Sequence, residues 1–229
     1  MKILASDFDE TIYFLDDKEK NKKNAEAIRN FISQGNIFCI ITGRNYTVLK
    51  QLLKEENIPY SYLICEDGAK IFNNVDYCLD TILLEENEVK EIVKILEEEK
   101  CDYYLDDGYN KTTYYNDCVK AVVRCSDSKE KERIVNLVKE KIDIHIYASR
   151  THVNIIHKTV NKENALKKLF NIEHLDYNKL YVIGDNDNDY GMIKAFDGVV
   201  IKKHHKVLDE LNIKEYDTLS DYIEELMNN

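Results

Sequence analysis

Ile3-Leu4-Ala5-Ser6-Asp7-Phe8-Asp9-Glu10-Thr11 is the stretch on which the reading of this chain turns. Its apolar start reads as a buried strand over Lys2 to Ser6. Two carboxylates follow, two residues apart, and residues at that spacing on an extended chain point the same way. Asp7 and Asp9 then face the crevice beyond a strand's carboxyl end, where open α/β sheets bind ligands. Like charges that close repel unless a cation lies beside them or one keeps its proton. Either condition suits chemistry on a phosphate group.

Strand and helix alternate outward from this point. Asn24 to Gln34 has Ala27, Ile28 and Phe31 on one helical face, and Gly35 stops it. Asn36 to Thr42 (NIFCIIT) is a continuous apolar run, the pattern of a parallel strand covered on both faces. A helix over Tyr46 to Glu55 and a strand over Tyr62 to Cys65 complete βαβαβ, which predicts a doubly wound, Rossmann-like parallel sheet.

From about Cys78 the pattern changes. Glu85 to Lys100 is an amphipathic helix with Val89, Ile92, Val93 and Leu96 on one stripe. Strands Asp102 to Leu105 and Val119 to Arg124 follow, then a helix over Lys129 to Lys141 and strands Ile144 to Ala148 and Val153 to Ile156. This αββαββ order predicts a separate α+β module with an antiparallel sheet. Alternation then resumes with a helix from Lys162, the strand Leu180 to Gly184 (LYVIG), a helix over Asp189 to Ala195, a strand over Gly198 to Ile201 and a helix over Leu219 to Met227. The expected organisation is an α/β core, residues 1–78 and 158–229, with an inserted module at 79–157.

Bulk properties narrow the function. The chain has 229 residues and 44% hydrophobic content, enough for a core without disulfides. Net charge is −11, from 43 acidic and 32 basic residues, which argues against nucleic acid as a partner. A phosphorylated small molecule stays open, because one cation and one Lys reverse the sign locally. The six cysteines show neither a CxxC pair nor zinc-site spacing, and reduced buried thiols fit a cytoplasmic protein. No secretory signal is visible, and no run nears the roughly 20 apolar residues of a membrane span.

Four candidate groups stand at strand ends or helix starts: Asp7/Asp9/Thr11, Thr42-Gly43-Arg44, Lys162, and Gly184-Asp185-Asn186-Asp187-Asn188-Asp189. A carboxylate attacks phosphorus to form an aspartyl-phosphate, provided that a metal and a Lys neutralise the phosphate's charge. Asp7 and Asp185 are oxygen donors suited to Mg2+. Asp9 suits the acid/base role. The Thr42 hydroxyl and the backbone N–H groups of the Gly43 turn suit phosphate oxygens, and Lys162 supplies a point charge.

DFDET, the Thr of ITGR, Lys162 in NKENAL, and GDNDNDYGM together resemble the four motifs of the haloacid dehalogenase superfamily, most closely its Cof-type (subclass IIB) phosphatases. The resemblance implies Asp7 as nucleophile, with Asp9 as acid/base and as a metal ligand through its backbone carbonyl. It implies Asp185 on Mg2+, and Asn188 and Asp189 supporting the phosphate site and the metal's water shell. It also implies that the insert is a cap that selects the substrate, with sugar phosphates the expected class. The chain departs from the family's usual Asn-Gly-Ala after the third strand, having Asp67-Gly68-Ala69, and carries Gly198 to His204 in place of a late Ala-Met-x-Asn-Ala loop.

Other readings stand beside these. Asp185 to Asp189 fails as an EF-hand loop, since Tyr190 and Phe196 occupy the Gly and Glu positions. Arg44 serves substrate or pairs with a carboxylate. His204-His205 is expected to be solvated, away from the acidic motifs. The tyrosines of the insert serve sheet packing or line a pocket. A phosphomutase on the same aspartyl-phosphate and a receiver-like signalling domain are the alternative functions.

Overall fold

The computed structural model describes residues 1–148 and 151–228. Strands β1 (Ile3–Asp7), β2 (Ile37–Ile41) and β3 (Tyr62–Cys65) run parallel, linked by helices α1 (Lys18–Ser33) and α2 (Tyr46–Glu55). Two antiparallel strands, β4 (Lys70–Asn73) and β5 (Cys78–Thr81), extend this edge. The chain then builds a second sheet from helix α3 (Glu86–Glu98), β6 (Asp102–Asp106), β7 (Lys111–Thr112), β8 (Lys120–Arg124), helix α4 (Ser128–Lys141), β9 (His145–Ala148) and β10 (His152–Ile156). It returns through α5 (Lys162–Ile172), β11 (Leu180–Gly184), α6 (Tyr190–Ala195), β12 (Val199–Ile201), β13 (Glu215–Tyr216) and α7 (Leu219–Asn228).

The large sheet has the order β13-β12-β11-β1-β2-β3-β4-β5, and the small antiparallel sheet the order β7-β6-β8-β10-β9. Strand order reverses at β1, because the chain first builds away from it on the β2 side and later returns to its other edge as β11. Asp7 ends β1 and Asp185 follows β11, so the two flank the switch point where such sheets bind ligands.

The sheet is wound on both faces, as the apolar runs predict. Leu4, Phe38 and Ile40 bury against Ile28 and Phe31 of α1, Leu53 of α2 and Ile223 of α7. Their sequence neighbours Ile3, Ala5, Cys39 and Ile41 bury on the other face against Leu166 and Leu169 of α5. Each fully buried aliphatic side chain contributes about 1.5–3 kcal/mol. The small sheet has its own core of Ile92, Leu96, Ala121, Val123, Ile134, Val138, Val153 and Ile155.

The structure differs from the sequence reading in several places. Helix α1 begins six residues before Asn24, at Lys18, because the Asp17 side chain caps it by accepting from Lys20 N at 3.0 Å. Its early inner face is polar: Asn21 exchanges two hydrogen bonds with the Phe14 backbone, so apolar spacing gives no signal there. Cys78 to Thr81, expected at the change of pattern and the start of the insert, pairs with β4 in the large sheet. Strands β4, β7 and β13 have no counterpart in the sequence reading; they are two to four residues long, too short for periodicity to register. Asp187 to Asp189 forms a 3-10 turn ahead of α6.

Candidate active site

Lys162 is the hub of the crevice. It opens α5, held there by the Asn161 side chain, which accepts from Asn164 N at 2.8 Å. Its ammonium is 1% exposed and lies 2.5 Å from Asp7 Oδ1 and 2.7 Å from Asp189 Oδ1. Burial alone would lower the Lys162 pKa, but Asp189 and Asp7 more than reverse that and hold the charge. Burial pushes the Asp7 carboxyl well above its usual range; Lys162 opposes the rise, and Asp189 and Asp185 add to it. Burial and Asp189 push Asp185 up to about 7, against a hydrogen bond from Thr11.

The acidic loop is organised by Asp189. Its Oδ2 accepts from Asp185 N and Asn186 N, both at 3.0 Å, so both its oxygens are engaged. A Cβ on Gly184 would meet Asp189 Cγ at 2.5 Å, so the strand end approaches this closely only because Gly184 lacks a side chain. Thr11 Oγ1 donates to Asp185 Oδ1 at 2.7 Å. Asp7 and Asp185 each keep an oxygen not taken by Lys162 or Thr11. Among the described residues, Asp7, Asp185 and Asp189 bring carboxylate oxygens within 4.8 Å of one another.

Asp9 points elsewhere. Arg44 grips its carboxylate in a two-pronged contact, with Nε to Oδ2 at 2.8 Å and one terminal guanidinium nitrogen to Oδ1 at 2.6 Å. Thr42 is buried at the end of β2, and its hydroxyl accepts from Arg44 N at 3.2 Å. Gly43 lies against Asp67, where a Cβ would meet Asp67 Oδ2 at 2.8 Å.

The small sheet roofs this site. Tyr104, Val122, Asn154 and Tyr147 stand side by side across β6, β8, β10 and β9, in cross-strand register. All four line a cleft of about 310 Å³ whose floor is Asp7, Asp9, Thr42, Gly43 and Arg44. Two further contacts bind roof to floor. Lys120 of β8 forms a buried ion pair with Glu66 and donates to Gly43 O at 3.2 Å. Tyr147 of β9 donates its hydroxyl to Asp67 Oδ2, while Asn188 Nδ2 donates to Asp67 Oδ1 at 2.7 Å.

A model of the haloacid dehalogenase-like hydrolases matches residues 4–118 and 106–210. The chain belongs to this family. A protein of Buchnera aphidicola subsp. Baizongia pistaciae (strain Bp), named "Putative phosphatase", is 25% identical, covering 83% of this chain and 82% of that one. A haloacid dehalogenase-like hydrolase from Bacteroides thetaiotaomicron shares the fold with a TM-score of 0.82 at 16% identity, over 98% of this chain and 99% of that chain. A subclass IIB sugar phosphatase does so with a TM-score of 0.78 at 14% identity, over 99% of each chain.

In this hydrolase the expected residues divide into two groups. Asp7, Lys162, Asp185 and Asp189 meet in one buried cluster. Asp9, Thr42, Gly43 and Asn188 line the adjoining cleft, and the Asp9 side chain stands outside the cluster. Arg44 pairs with a carboxylate, that of Asp9. The histidine pair departs from expectation in part: the His205 side chain is exposed, but the pair is not away from the acidic motif. His204 is held at both ring nitrogens, by Ile201 O and Asp209, and His205 lies against the acidic loop through its backbone N–H to Asp185 O and its ring to Asp187. The loop after β12 folds back over the end of β11, a contact that sequence distance conceals.

Sequence reasoning left Asp67 unassigned, left open whether the insert tyrosines, Tyr104 among them, line a pocket, and missed Tyr147 and Asn154 as cleft residues. Asn154 carries a legible signal, one amide inside the apolar run Val153 to Ile156. The tyrosines carry none, since exposed and cleft-facing tyrosines look alike in sequence.

Proposed function

We propose that this hydrolase is a Mg2+-dependent phosphatase of small phosphorylated metabolites, sugar phosphates above all, with Asp7 as nucleophile. The observation that carries the reading is the Asp7 carboxylate at the switch point, next to a buried ammonium and beneath a roofed cleft. Lys162 offsets only one of three neighbouring buried carboxylates, and Asp7 and Asp185 turn their carboxyl groups toward each other. That surplus of hard oxygen donors fits a divalent cation held by Asp7 and Asp185, with Asp189 shaping the loop. The Asp9 backbone carbonyl is the further ligand that the family pattern supplies. Bound there, Mg2+ neutralises the phosphate's charge as it is attacked.

The substrate phosphate sits among Asp7, Thr42, the Gly43 turn, Asn188 and Lys162. An Asp7 carboxylate oxygen forms a bond to phosphorus as the bond to the leaving oxygen breaks, and Asp9 gives that oxygen a proton. Water then attacks the aspartyl-phosphate, Asp9 takes its proton, and Asp7 is released with inorganic phosphate. A carboxyl that carries a proton offers one fewer acceptor oxygen, so the Arg44 grip opens when Asp9 acts as the acid. The unit built on the small sheet is the cap: it excludes water and selects the leaving group. Its hydroxyl and amide groups at Tyr104 and Asn154 suit a polyhydroxylated leaving group, in keeping with the sugar phosphatase that shares the fold.

The test is phosphate release with Mg2+ and with EDTA, over sugar phosphates, nucleotides, phosphoglycolate and an aryl phosphate. Release that needs the metal and ranks sugar phosphates first is expected. Folded protein that releases phosphate from none of them overturns the reading.

A further inference from the structure

We propose that Asp67 is a positioning residue that links closure of the cap to the orientation of Asn188 in the phosphate site. The inference rests on the phosphatase reading for its kinetic consequences and on geometry for the link itself.

Asp67 sits where three parts of the molecule meet. Its carboxylate is 2% exposed, with one oxygen on Asn188 of the core and the other on Tyr147 of the cap. Its backbone N–H donates to Thr42 O at 2.9 Å, and Oδ2 lies where a side chain on Gly43 would have to go. The backbone is set for this task. Glu66 and Asp67 both adopt left-handed conformations, with φ of 54° and 55°, and Gly68 follows at 118°. Successive left-handed residues other than glycine are held only where surrounding contacts dictate them, and they cluster at functional sites.

Asp67, Tyr147 and Asn188 also form a partition. The same three residues line the cleft above Asp7 and a second cavity of about 320 Å³ behind it, bordered by His145, Ile156, Val160 and Met192. Moving Tyr147 outward with the cap would open the partition and remove one of the two donors to Asp67.

A carboxylate suits this meeting of partners. Two donors converge on Asp67, and a carboxylate is an acceptor at both oxygens. A Tyr hydroxyl also accepts, so an Asn amide can still meet both partners; only loss of the side chain removes both contacts. With the carboxylate in place, the Asn188 amide must turn its nitrogen to Asp67, and its second N–H is left for a phosphate oxygen. Without it, the amide is free to flip and present its own oxygen to the phosphate, which repels.

The test uses the full chain with Asp67→Gly and, from the cap side, Tyr147→Phe. Gly adopts the left-handed backbone freely, and Phe keeps the ring, so both variants retain the fold. With an aryl phosphate and Mg2+, KM and the inhibition constant of inorganic phosphate should each rise about tenfold in Asp67→Gly and by a smaller factor in Tyr147→Phe, where the carboxylate stays but is no longer held from the cap side, with kcat within about twofold. A purely structural latch would lower the melting temperature without that split. Amide hydrogen exchange supplies a readout that needs no activity. Tyr147→Phe should speed exchange in residues 186–189 of the core as well as in 145–148 of the cap. Faster exchange confined to the cap, or phosphate inhibition unchanged in both variants, overturns the proposal. A wild-type protein that releases no phosphate overturns the phosphatase reading alone, and the exchange result then decides the link.

Discussion

Three carboxylates crowd around one ammonium at Lys162, and the consequences are specific to each residue. Asp7→Asn keeps the shape of the side chain but removes both its charge and its nucleophilic oxygen. Phosphate release from an aryl phosphate should fall by roughly a thousandfold or more. The melting temperature should not fall, because a carboxylate that burial and like charges disfavour has been removed. Residual turnover near the wild-type rate would reject the nucleophile. Lys162→Met should do the reverse. It leaves Asp7 and Asp189 buried without their counter-charge, a change that costs roughly 3–5 kcal/mol. Urea unfolding in EDTA measures it, and a loss below about 1 kcal/mol would show that the carboxylates take up protons instead. These residues were legible in the sequence because each stands at a strand end or helix start, where chain direction alone decides the side it faces. Asp67 was not legible, since its role depends on donors from Asn188 and Tyr147, far away in the chain.

The elements position these groups through their ends. Lys162 is the first residue of α5, and Asn161 is the cap that starts that helix. Asn161→Ala removes the acceptor for Asn164 N and should cost about 1 kcal/mol. For a chain of this size that lowers the melting temperature by about 2–4 °C, measurable by circular dichroism. An unchanged melting curve would mean that packing of Leu166 and Leu169 alone sets the helix start. Long apolar or amphipathic elements were read closely: Tyr46–Glu55, Tyr62–Cys65 and Leu180–Gly184 fall where the sequence places them. The short strands β4, β7 and β13 were not, because they owe their form to neighbouring strands that supply their hydrogen bonds.

At the scale of the whole molecule, the joint between the two sheets carries a buried ion pair. Burial lifts the Glu66 carboxyl from 4.5 to about 7, although Lys120 beside it pulls the other way. The folded chain therefore holds this proton more tightly than the unfolded chain does. The resulting stability is fully present below pH 4.5 and is lost as pH rises to about 7, a change of roughly 3 kcal/mol. The same contact raises the Lys120 pKa, so its stabilisation is lost only above 10.5. Glu66→Gln cannot titrate. Wild type should lose roughly 3 kcal/mol more than this variant between pH 4.5 and 7.5 in urea unfolding, and parallel curves would place the Glu66 proton elsewhere.

Sequence by itself determined the α/β alternation and the presence of an antiparallel insert, expected at 79–157, and singled out Asp7, Asp9, Thr42, Lys162 and Asp185 as candidates. Periodicity and strand direction are local properties, and the motifs sit where those properties change. The tertiary structure decided what lies against what: Arg44 on Asp9, His205 on the Asp185 loop, Lys120 on Glu66, and the row of Tyr104, Val122, Asn154 and Tyr147 over the cleft. Apart from Asn154 and Tyr147, neighbours in one hairpin, each of these joins residues far apart in the chain. Such pairings follow from how strands and loops come together in space, within each sheet as well as between the two, which no short window along the chain contains.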